Sequence, residues 1–587
     1  MRSTAATCML AACLSIGWDR PEEECGWRQW GHDAAHAGMV CREAQKPERA
    51  LAQVTFDPFS AQEQQDDPTN RGDLLAHYPA PLVDGNDVFM MEKTGTWVSC
   101  HPQPPGTPPP TPCGPRAWSS QIWNEKRLHW EHGALVVKWS FESDWKPVPS
   151  QTVGGWEPMF QAALTEEEIA VPGAGGTIFR IDRESGGVIA RINPFGTAID
   201  PNTYVSGGIT ADRRGNFFYN VVRLNPAGPF RGDAQGFLVR VDRRGRSSFV
   251  AYATLIPGAP AAGDLCFTNF FNGPPPAFPL PPPPNPDGSP ALPPAFPCGS
   301  QRPGINVTPA VSADGTVFLA SRAHFNQNYS YVLALRPDLS LKWAASLRDI
   351  LHDGCGVLIP FDDNSFACRT TATPGVDPIT NLAPAGAVTD LSSSSPVALP
   401  DGGVIYGAFT GFNESRGHSF KFTAAGAPAG TYDFGWDLTP AVYRHDGTYS
   451  LIVKDNHYGT NGPYYITQLS STLQPEWRYR NTSTQHCARQ PDGTVQCADD
   501  GEHPDGFEWC INAPAIDSEG TFYGTSEDGN FYAIRQGGVL GAKVFLDIAL
   551  GAAYTPLSID EHGRIYALNN GKFTVLGEKP GGARDRD

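Results

Sequence analysis

The sequence lacks several features that would place it in a broad functional class. It has no run of about 18 apolar residues, so it contains no candidate transmembrane helix. It has no basic run either, and its net charge of -18 disfavours nucleic acid and anionic membrane surfaces as partners. No Cys-x-x-Cys spacing occurs, which argues against the common zinc sites. These absences leave an acidic chain that contains an internal repeat.

A hydrophobic strand, turn and strand unit recurs seven times between residues 79 and 568. Each copy has an Asp-Gly or Asp-x-x-Gly turn followed by β-branched and aromatic residues, and this pattern predicts a β-hairpin. One copy reads Pro309-Ala-Val-Ser-Ala-Asp-Gly-Thr-Val-Phe318. A second hairpin usually follows within the same period, so each period predicts a four-stranded sheet. The shortest repeat spacings are typical of propeller blades: 45 residues from Gly402 to Gly447 and 43 residues from Gly520 to Gly563.

These copies predict an all-β fold, namely an eight-bladed β-propeller of four-stranded antiparallel blades. A degenerate copy at 157–164 gives the eighth blade. The last copy lacks a fourth strand, which we expect the N-terminal segment 51–56 to supply, closing the ring without a free sheet edge. The predicted organisation is a leader and linker at 1–24, an N-terminal segment at 25–75, the propeller at 76–577 and a polar tail at 578–587.

The repeat pattern resembles a known family. The sequence T/S-P-A-V, then Asp-Gly-T-V-Y, then L-x-A-L-D-x-x-x-G-x-x-x-W is similar to the repeat of quinoprotein-like (PQQ-like) β-propellers, over roughly residues 27–577. The opening Trp27-Arg-Gln-Trp-Gly-His-Asp33 resembles the leader that precedes the first blade in such proteins. The family includes dehydrogenases, assembly-factor lipoproteins and many binding proteins, so the resemblance implies a fold more strongly than a function.

Resemblance to the dehydrogenases of this family would imply a PQQ cofactor between a disulfide of adjacent cysteines on one side and a tryptophan on the other. It would also imply calcium or a lanthanide held by Glu, Asn and Asp, and an Asp base. This sequence has no Cys-Cys pair and no Cys-x-x-Cys-His haem motif. The family's docking motif is matched loosely at 180–190, with Ala190 where its tryptophan belongs. PQQ and calcium are therefore unsupported by site residues, and we expect a propeller without the dehydrogenase active site.

Cysteines bracket several irregular inserts, an arrangement typical of disulfides in exported proteins. Buried free thiols or a zinc site would be the alternative. The candidate pairs are Cys25 with Cys41, Cys100 with Cys113, Cys266 with Cys298, Cys355 with Cys368, and Cys487 with Cys497 or Cys510.

The N-terminus also favours export. Met1-Arg2 precedes a short apolar stretch, and Leu10-Ala-Ala-Cys13 resembles a bacterial lipobox in which Cys13 would be lipidated. The apolar stretch is short for a signal peptide, so either the true start lies upstream or the lipobox match is chance. Together with the cysteine pairs, the N-terminus predicts an extracytoplasmic protein that is secreted, periplasmic or a surface lipoprotein.

The repeat register assigns the long inserts to one side of the propeller. In a four-stranded meander the first-to-second and third-to-fourth turns lie on one face, and here they are short; we call this the plain face. All other connections lie on the opposite face, which we call the decorated face. That face is the functional candidate, because binding and chemistry tend to sit in loops on a rigid scaffold. Its long segments are 92–130, 192–206, 221–236, 252–307, 349–394 and 480–512.

Three consecutive blades place a histidine in a polar loop on the decorated face. These loops could bind an anionic or carbohydrate ligand or supply an acid and a base, although a solvated polar rim is the simpler interpretation. The candidate residues are Arg322, His324, Arg416, His418, Asp455 and His457.

Other segments offer weaker signals. Two acidic loops could hold calcium, through Asp362 and Asp363 or through Asp499 and Asp500. Two Pro-rich inserts, 101–116 and 273–297, predict polyproline II or irregular loops that join no sheet.

Together these features favour an exported binding or scaffold protein with a protein or glycan partner on the decorated face. The alternative is an enzyme that uses the same face, either a quinoprotein-type oxidoreductase or a cofactor-free lyase or hydrolase.

Overall fold

The computed structural model describes residues 25–66, 74–98, 116–149, 156–228, 232–272, 279–357, 368–413, 416–456, 462–552 and 554–578. The chain forms an eight-bladed β-propeller of four-stranded antiparallel blades, as the repeat predicts. Within the described ranges, no helix has the length and apolar character that a membrane span requires.

Each of the first four blades is a meander whose first strand lies innermost. Blade 1 has β2 (Leu82–Asp84), β3 (Asp87–Gly95), β4 (Gln121–Glu131) and β5 (Ala134–Ser143). Blade 2 has β6 (Ala163–Leu164), β7 (Glu168–Gly173), β8 (Thr177–Asp182) and β9 (Val188–Ile192). Blade 3 has β10 (Thr203–Ala211), β11 (Phe217–Arg223), β12 (Gln235–Val241) and β13 (Ser247–Ala251). Blade 4 has β17 (Ala310–Val311), β18 (Val317–Ala323), β19 (Ser330–Leu335) and β20 (Leu341–Ser346), and the additional strand β16 (Gln301–Pro303) pairs with β18.

The remaining blades repeat the pattern. Blade 5 has β21 (Val397–Ala398), β22 (Val404–Ala408), β23 (His418–Phe422) and β24 (Pro428–Tyr432). Blade 6 has β25 (Ala441–His445), β26 (Thr448–Asn456), β27 (Tyr464–Ser470) and β28 (Pro475–Asn481). Blade 7 has β31 (Ala515–Ile516), β32 (Phe522–Thr525), β33 (Asn530–Arg535) and β34 (Val539–Phe545). Blade 8 has β35 (Ser558–Ile559), β36 (Ile565–Asn569), β37 (Lys572–Gly577) and, from the N-terminal side, β1 (Arg49–Thr55).

The N-terminal strand β1 closes the ring, as the incomplete last repeat predicts. It pairs antiparallel with β37, from Arg49 opposite Gly577 to Thr55 opposite Lys572. Phe56 continues the contact through a backbone hydrogen bond to Gly571 (2.9 Å). The first and last parts of the propeller are thereby joined through one sheet, which leaves blade 8 with no missing strand.

The inserts contain the remaining elements. These are α1 (Ser60–Asp66), α2 (Arg116–Ser119), 3-10 turns at Ala174–Gly176, Tyr252–Thr254 and Phe270–Asn272, the pair β14 (Leu265–Phe267) and β15 (Ala295–Pro297), and the pair β29 (Gln485–Arg489) and β30 (Val495–Asp499). The prediction that the Pro-rich segment 273–297 joins no sheet is wrong for its last three residues. They pair with β14 beside the Cys266–Cys298 disulfide, with Pro297 at the end of the pairing, where its missing N–H costs little.

Four disulfides lie within the described residues. They join Cys25 to Cys41, Cys266 to Cys298, Cys355 to Cys368, and Cys487 to Cys497. Of the two partners left open for Cys487, the structure selects Cys497, because the two residues face each other across β29 and β30. Cys510 is instead a buried free thiol. Cys13, Cys100 and Cys113 lie outside the described residues, so lipidation of Cys13 stays a prediction.

Tryptophans in outer strands hold neighbouring blades together. Trp139 of blade 1 packs on Gly186 in the last turn of blade 2, and Trp343 of blade 4 packs on Gly426 in the last turn of blade 5. Both glycines have positive φ, at 71° and 84°, and a Cβ there would lie within 2.7 Å of the indole. Each turn therefore requires glycine for its backbone conformation and for the close approach of the indole.

The segment 27–40 runs around the plain-face end of the propeller axis and contacts the blades in order. Its carbonyl groups accept hydrogen bonds from the innermost strands of blades 1, 2, 4, 5, 6 and 7, through Val83, Leu164, Val311, Ala398, Val442 and Ile516. Blade 3 is bound through the Gln29 side chain, whose Oε1 accepts from the backbone N of Ala211 (2.7 Å). The Cys25–Cys41 disulfide joins the two ends of this segment. We call it the leader ring.

Trp30 of the leader ring points along the axis towards the decorated face. Its side chain is fully buried against Met159, which precedes the first strand of blade 2, and Ala513, which precedes the first strand of blade 7. Its Nε1 donates to Thr439 Oγ1 (3.1 Å). The leader ring and Trp30 thus fill the axis from the plain side.

Candidate functional site

The residues that lead into the innermost strands meet at the axis on the decorated face. Asn306, before blade 4, accepts a hydrogen bond from the backbone N of Met159, before blade 2 (3.0 Å). Its Nδ2 lies 3.4 Å from Nδ1 of His77, before blade 1. Asn512, before blade 7, donates to Ser393 Oγ, before blade 5 (2.9 Å). Blades that are not adjacent touch only close to the axis, so these residues mark its decorated end.

Two charged side chains at this point are buried without forming a hydrogen bond to each other. Asp437 Oδ1 accepts from the backbone N of Ser393 (3.1 Å), which directs Oδ2 towards Lys454 Nζ at 3.7 Å. That separation is too long for a hydrogen bond. Among the described residues, Asp437 Oδ2, Lys454 Nζ and Asn512 Oδ1 have no hydrogen-bond partner. An unsatisfied buried polar group costs roughly 1–3 kcal/mol, so these atoms call for water or a ligand hydroxyl.

Aromatic rings lie next to these polar atoms. The His77 ring stacks on Tyr554 at a centroid distance of 4.8 Å, and Trp156 lies 4.7 Å from Tyr554. Lys454 Nζ is 5.3 Å from the Tyr554 centroid. Trp156 and Tyr554 are only partly buried, so they offer ring surface to solvent. We call His77, Trp156, Asp437, Lys454, Asn512 and Tyr554 the axial site.

The axial site carries no surplus positive charge. Burial lowers the pKa of His77 below its usual value and outweighs the opposite effect of the Glu157 and Leu391 carbonyl groups that face its ring, so the imidazole is mostly neutral at pH 7. Lys454 is balanced by Asp437. The nearby Cys510 thiol adds no charge. It donates its hydrogen to Glu527 Oε1 (2.9 Å), and burial together with that carboxylate raises the pKa of the thiol well above its usual value.

The predicted residues Arg322 and His324 lie in a separate, buried ion network. Arg302 forms a bidentate pair with Asp390 (2.8 and 2.6 Å), and Arg322 adds a third bond (3.1 Å). Arg302 Nε also donates to His324 Nδ1 (3.0 Å). Burial opposes ionisation of Asp390, but the two guanidinium groups lower its pKa to about 2. This network attaches the segment that precedes blade 5, through Asp390, to blade 4. Arg322 and His324 are therefore buried and do not form a solvated rim.

The predicted residues Arg416, His418 and Asp455 gather between blades 5 and 6. His418 Nε2 lies 2.5 Å from Asp353 Oδ2, while Arg416 Nη1 lies 3.0 Å from Asp433 Oδ2 and its Nη2 lies 3.7 Å from Asp455 Oδ1. A histidine therefore meets a carboxylate within hydrogen-bond reach, although this cluster is not part of the axial site.

The other predicted residues divide into two groups. His457, Asp362 and Asp363 lie outside the described residues. Asp499 is exposed at the end of β30, and Asp500 has two histidines at ion-pair distance, His486 Nδ1 (3.5 Å) and His503 Nδ1 (3.2 Å). Imidazole groups are not calcium ligands, so this environment does not favour calcium at Asp500.

Sequence reasoning missed most of the axial site. Asn306, Asp437, Asn512 and Tyr554 each lie two or three positions before a proline that opens a repeat: Pro309, Pro440, Pro514 and Pro556. All innermost strands begin near the axis, so polar or aromatic residues at that offset converge there. The repeat register therefore contained a signal for this site.

A concave surface lies on the plain face, apart from the axial site. It is a cleft of about 900 Å³ between the leader ring and blades 2 to 6, lined by residues that include Arg28, Asp33, Arg180, Asp314 and Arg444. Its lining contains six arginines and six acidic residues, so it presents no net charge for a charged ligand.

Neither a protein-family model nor a curated protein matches the chain. Solved structures similar to it include a europium-containing methanol dehydrogenase, at 10% identity and a TM-score of 0.47, covering 93% of this chain and 89% of that chain. A quinohemoprotein alcohol dehydrogenase from Comamonas testosteroni has 10% identity and a TM-score of 0.47, with 96% and 82% covered. BamB from Moraxella catarrhalis has 10% identity and a TM-score of 0.34, with 77% and 94% covered.

These identities and TM-scores are too low to carry an argument about activity. The fold assignment rests on the strand pairing itself: the chain is an eight-bladed β-propeller, and the structures it is similar to include quinoprotein dehydrogenases and BamB.

Proposed function

We propose that this chain is an exported binding protein whose axial site holds a neutral glycan. The observation that carries the proposal is the set of buried atoms without hydrogen-bond partners among the described residues, Asp437 Oδ2, Lys454 Nζ and Asn512 Oδ1, of which Lys454 Nζ lies 5.3 Å from the centroid of the partly exposed Tyr554 ring. Export is supported by the four disulfides, which persist in oxidising compartments.

The chemistry of a pyranose ring complements the axial site. Its C–H faces pack on aromatic rings such as Tyr554 and Trp156, and its hydroxyl groups donate to a carboxylate and accept from an ammonium group. Asp437 and Lys454 supply these two functions side by side. A neutral ligand is favoured over an anionic one, because Lys454 is already balanced by Asp437 and His77 is neutral.

A PQQ cofactor does not fit the described residues of the axial site. PQQ is a planar tricarboxylate, and the only cation in this site is Lys454, which stands 3.7 Å from Asp437. A planar ring system also needs a slot between two flat groups, whereas His77 and Tyr554 already stack on each other at 4.8 Å. We therefore derive no quinone chemistry here.

Replacing Asp437 by Asn or Lys454 by Met is expected to weaken glycan binding by roughly 10- to 100-fold, because each removes one charge-assisted hydrogen bond to the ligand. Isothermal titration calorimetry with oligosaccharides first selected on a glycan array measures the affinity. The matched control is Asp314→Asn, an exposed aspartate on the plain face, which should leave the affinity unchanged. Equal affinity for all four proteins would refute the axial site, and release of altered sugar during the titration would indicate a lyase or hydrolase.

A protein partner on the decorated face is the second candidate. The insert around the Cys266–Cys298 disulfide exposes four large apolar side chains: Leu265 (69% exposed), Phe271, Leu292 and Phe296. These side chains belong to the insert and not to the axial site. A protein partner that binds it would still bind the Asp437→Asn variant.

A further inference from the structure

A cluster at the edge of blade 5 has the composition of a metal site. His418 Nε2 lies 2.5 Å from Asp353 Oδ2 and 3.5 Å from Asp433 Oδ1, and the histidine side chain is only 2% exposed. The three donor atoms all lie within 4.8 Å of one another. They come from three separate places: Asp353 from the insert between blades 4 and 5, His418 from the start of β23, and Asp433 from the residue after β24.

The imidazole ring is held in one orientation. Its Nδ1 lies 3.0 Å from Thr410 Oγ1, and Phe412 stacks on it at 5.9 Å with an interplanar angle of 21°. Nε2 is therefore directed at the carboxylates. Histidines that bind metals are fixed in this way, with the second ring nitrogen bonded to another group.

The two carboxylates are not equally satisfied. Asp433 accepts from Asn413 Nδ2 (2.7 Å) and pairs with Arg416 Nη1 (3.0 Å). Asp353 has only the imidazole, and its Oδ1 is buried without a hydrogen-bond partner among the described residues. Because Nε2 carries at most one hydrogen, it serves one of the two carboxylates at a time. A cation placed among the three donors would satisfy both.

We propose that Asp353, His418 and Asp433 bind a divalent transition-metal ion of the zinc class. One imidazole nitrogen with two carboxylate oxygens suits zinc, whereas calcium and magnesium prefer oxygen ligands alone. Asp353 and Asp433 are 17% and 22% exposed, so an ion can reach the two carboxylates from solvent. The ion would fasten the part of the insert around Asp353 to blade 5, a role that does not depend on the glycan proposal.

The other cluster of this type, Glu508 with Cys510 and Glu527, does not support a metal in the same way. Its thiol is protonated and donates to Glu527 Oε1 (2.9 Å), and burial raises the pKa of the thiol well above its usual value. A divalent cation there would have to displace that proton.

The test uses the full chain, purified without chelators, then stripped with EDTA and titrated with zinc chloride. Metal content is measured by inductively coupled plasma mass spectrometry and thermal stability by calorimetry. We expect one zinc per chain and a rise in Tm on titration, since a ligand that binds only the folded state stabilises it. Asp353→Asn and His418→Gln should each bind zinc roughly 100-fold more weakly or worse, because each removes a ligand.

The control is His445→Gln. His445 also lies beside an aspartate, Asp446, at 3.6 Å, but it belongs to no described three-donor cluster, so this variant should bind zinc like the unaltered chain. If the unaltered chain takes up no zinc and its Tm does not move, the proposal is wrong. It is also wrong if Asp353→Asn, whose aspartate lies in a surface insert and whose loss should not prevent folding, retains full zinc affinity.

Discussion

Replacing Lys93 by Met is expected to destabilise the propeller by about 3–5 kcal/mol, the cost of removing one partner from a buried ion cluster. Lys93 Nζ lies 2.7 Å from Asp57 Oδ2 and 2.6 Å from Glu157 Oε2, and all three side chains are buried. Tyr78 and Trp123 donate to the two carboxylates (2.8 and 3.3 Å). Without the ammonium group, two carboxylates would stand unpaired in the interior.

The position of this cluster explains why its loss should affect the whole fold. Asp57 follows the closing strand by two residues, and the backbone N of Lys93 donates to the Phe56 carbonyl (2.7 Å). Glu157 precedes the first strand of blade 2, and its carbonyl group accepts a hydrogen bond from the backbone N of His77 (3.0 Å). The cluster therefore joins the closing segment, blade 1 and blade 2. Loss of Lys93 should loosen ring closure as well as one blade.

Denaturant unfolding at pH 7 measures the effect. The matched control is Lys126→Met, which removes a partly exposed pair with Glu92 in the same blade and should cost no more than about 1 kcal/mol. A triple variant, Lys93→Met with Asp57→Asn and Glu157→Gln, should recover part of the loss, because no charge is then left unpaired. Equal unfolding free energies for Lys93→Met and Lys126→Met would contradict this account of closure.

Replacing Glu125 by Gln is expected to stabilise the protein by about 3 kcal/mol at pH 7. Glu125 lies in β4 with its side chain buried, and burial raises its pKa from the ordinary 4.5 to about 8. Between these values the folded chain holds a proton that the unfolded chain has lost, so stability falls as the pH rises. Glutamine cannot ionise, and a shift of one unit corresponds to about 1.4 kcal/mol.

The pH dependence identifies the cause. The gain from Glu125→Gln should be absent at pH 4, where the carboxyl is mostly protonated in both states, and should grow up to about pH 8. Glu142→Gln, an exposed glutamate on the neighbouring strand β5, is the control and should show no such trend. A stability difference that does not change between pH 4 and pH 8 would show that Glu125 is ionised in the folded chain.

Local turn chemistry made the propeller predictable from sequence. Asp401 and Gly402, for example, form a turn in which Gly402 has a φ of 79° and Asp401 Oδ1 accepts from the backbone N of Gly403 (2.9 Å). Such a turn needs only neighbouring residues, so its sequence signature is complete. Seven such units at blade spacing leave few alternative architectures.

The axial and blade-edge sites depend on contacts between distant residues, which no local pattern contains. Trp30 bonds to Thr439, His77 lies beside Asn306, and the cluster of His418 with Asp353 spans 65 residues. The sequence singled out His418 but not its partner. It also placed the segment from Trp27 onwards before the first blade without revealing that it runs around the axis and fills the plain-face end of it.

The axial site can be tested in a crystal structure of the full chain with its best-bound oligosaccharide. We expect a sugar ring at the decorated end of the axis, in contact with Tyr554 or Trp156, with hydroxyl groups bonded to Asp437 Oδ2 and Lys454 Nζ. Sugar density confined to the plain-face cleft, or to the inserts with the axial atoms still unpaired, would contradict it.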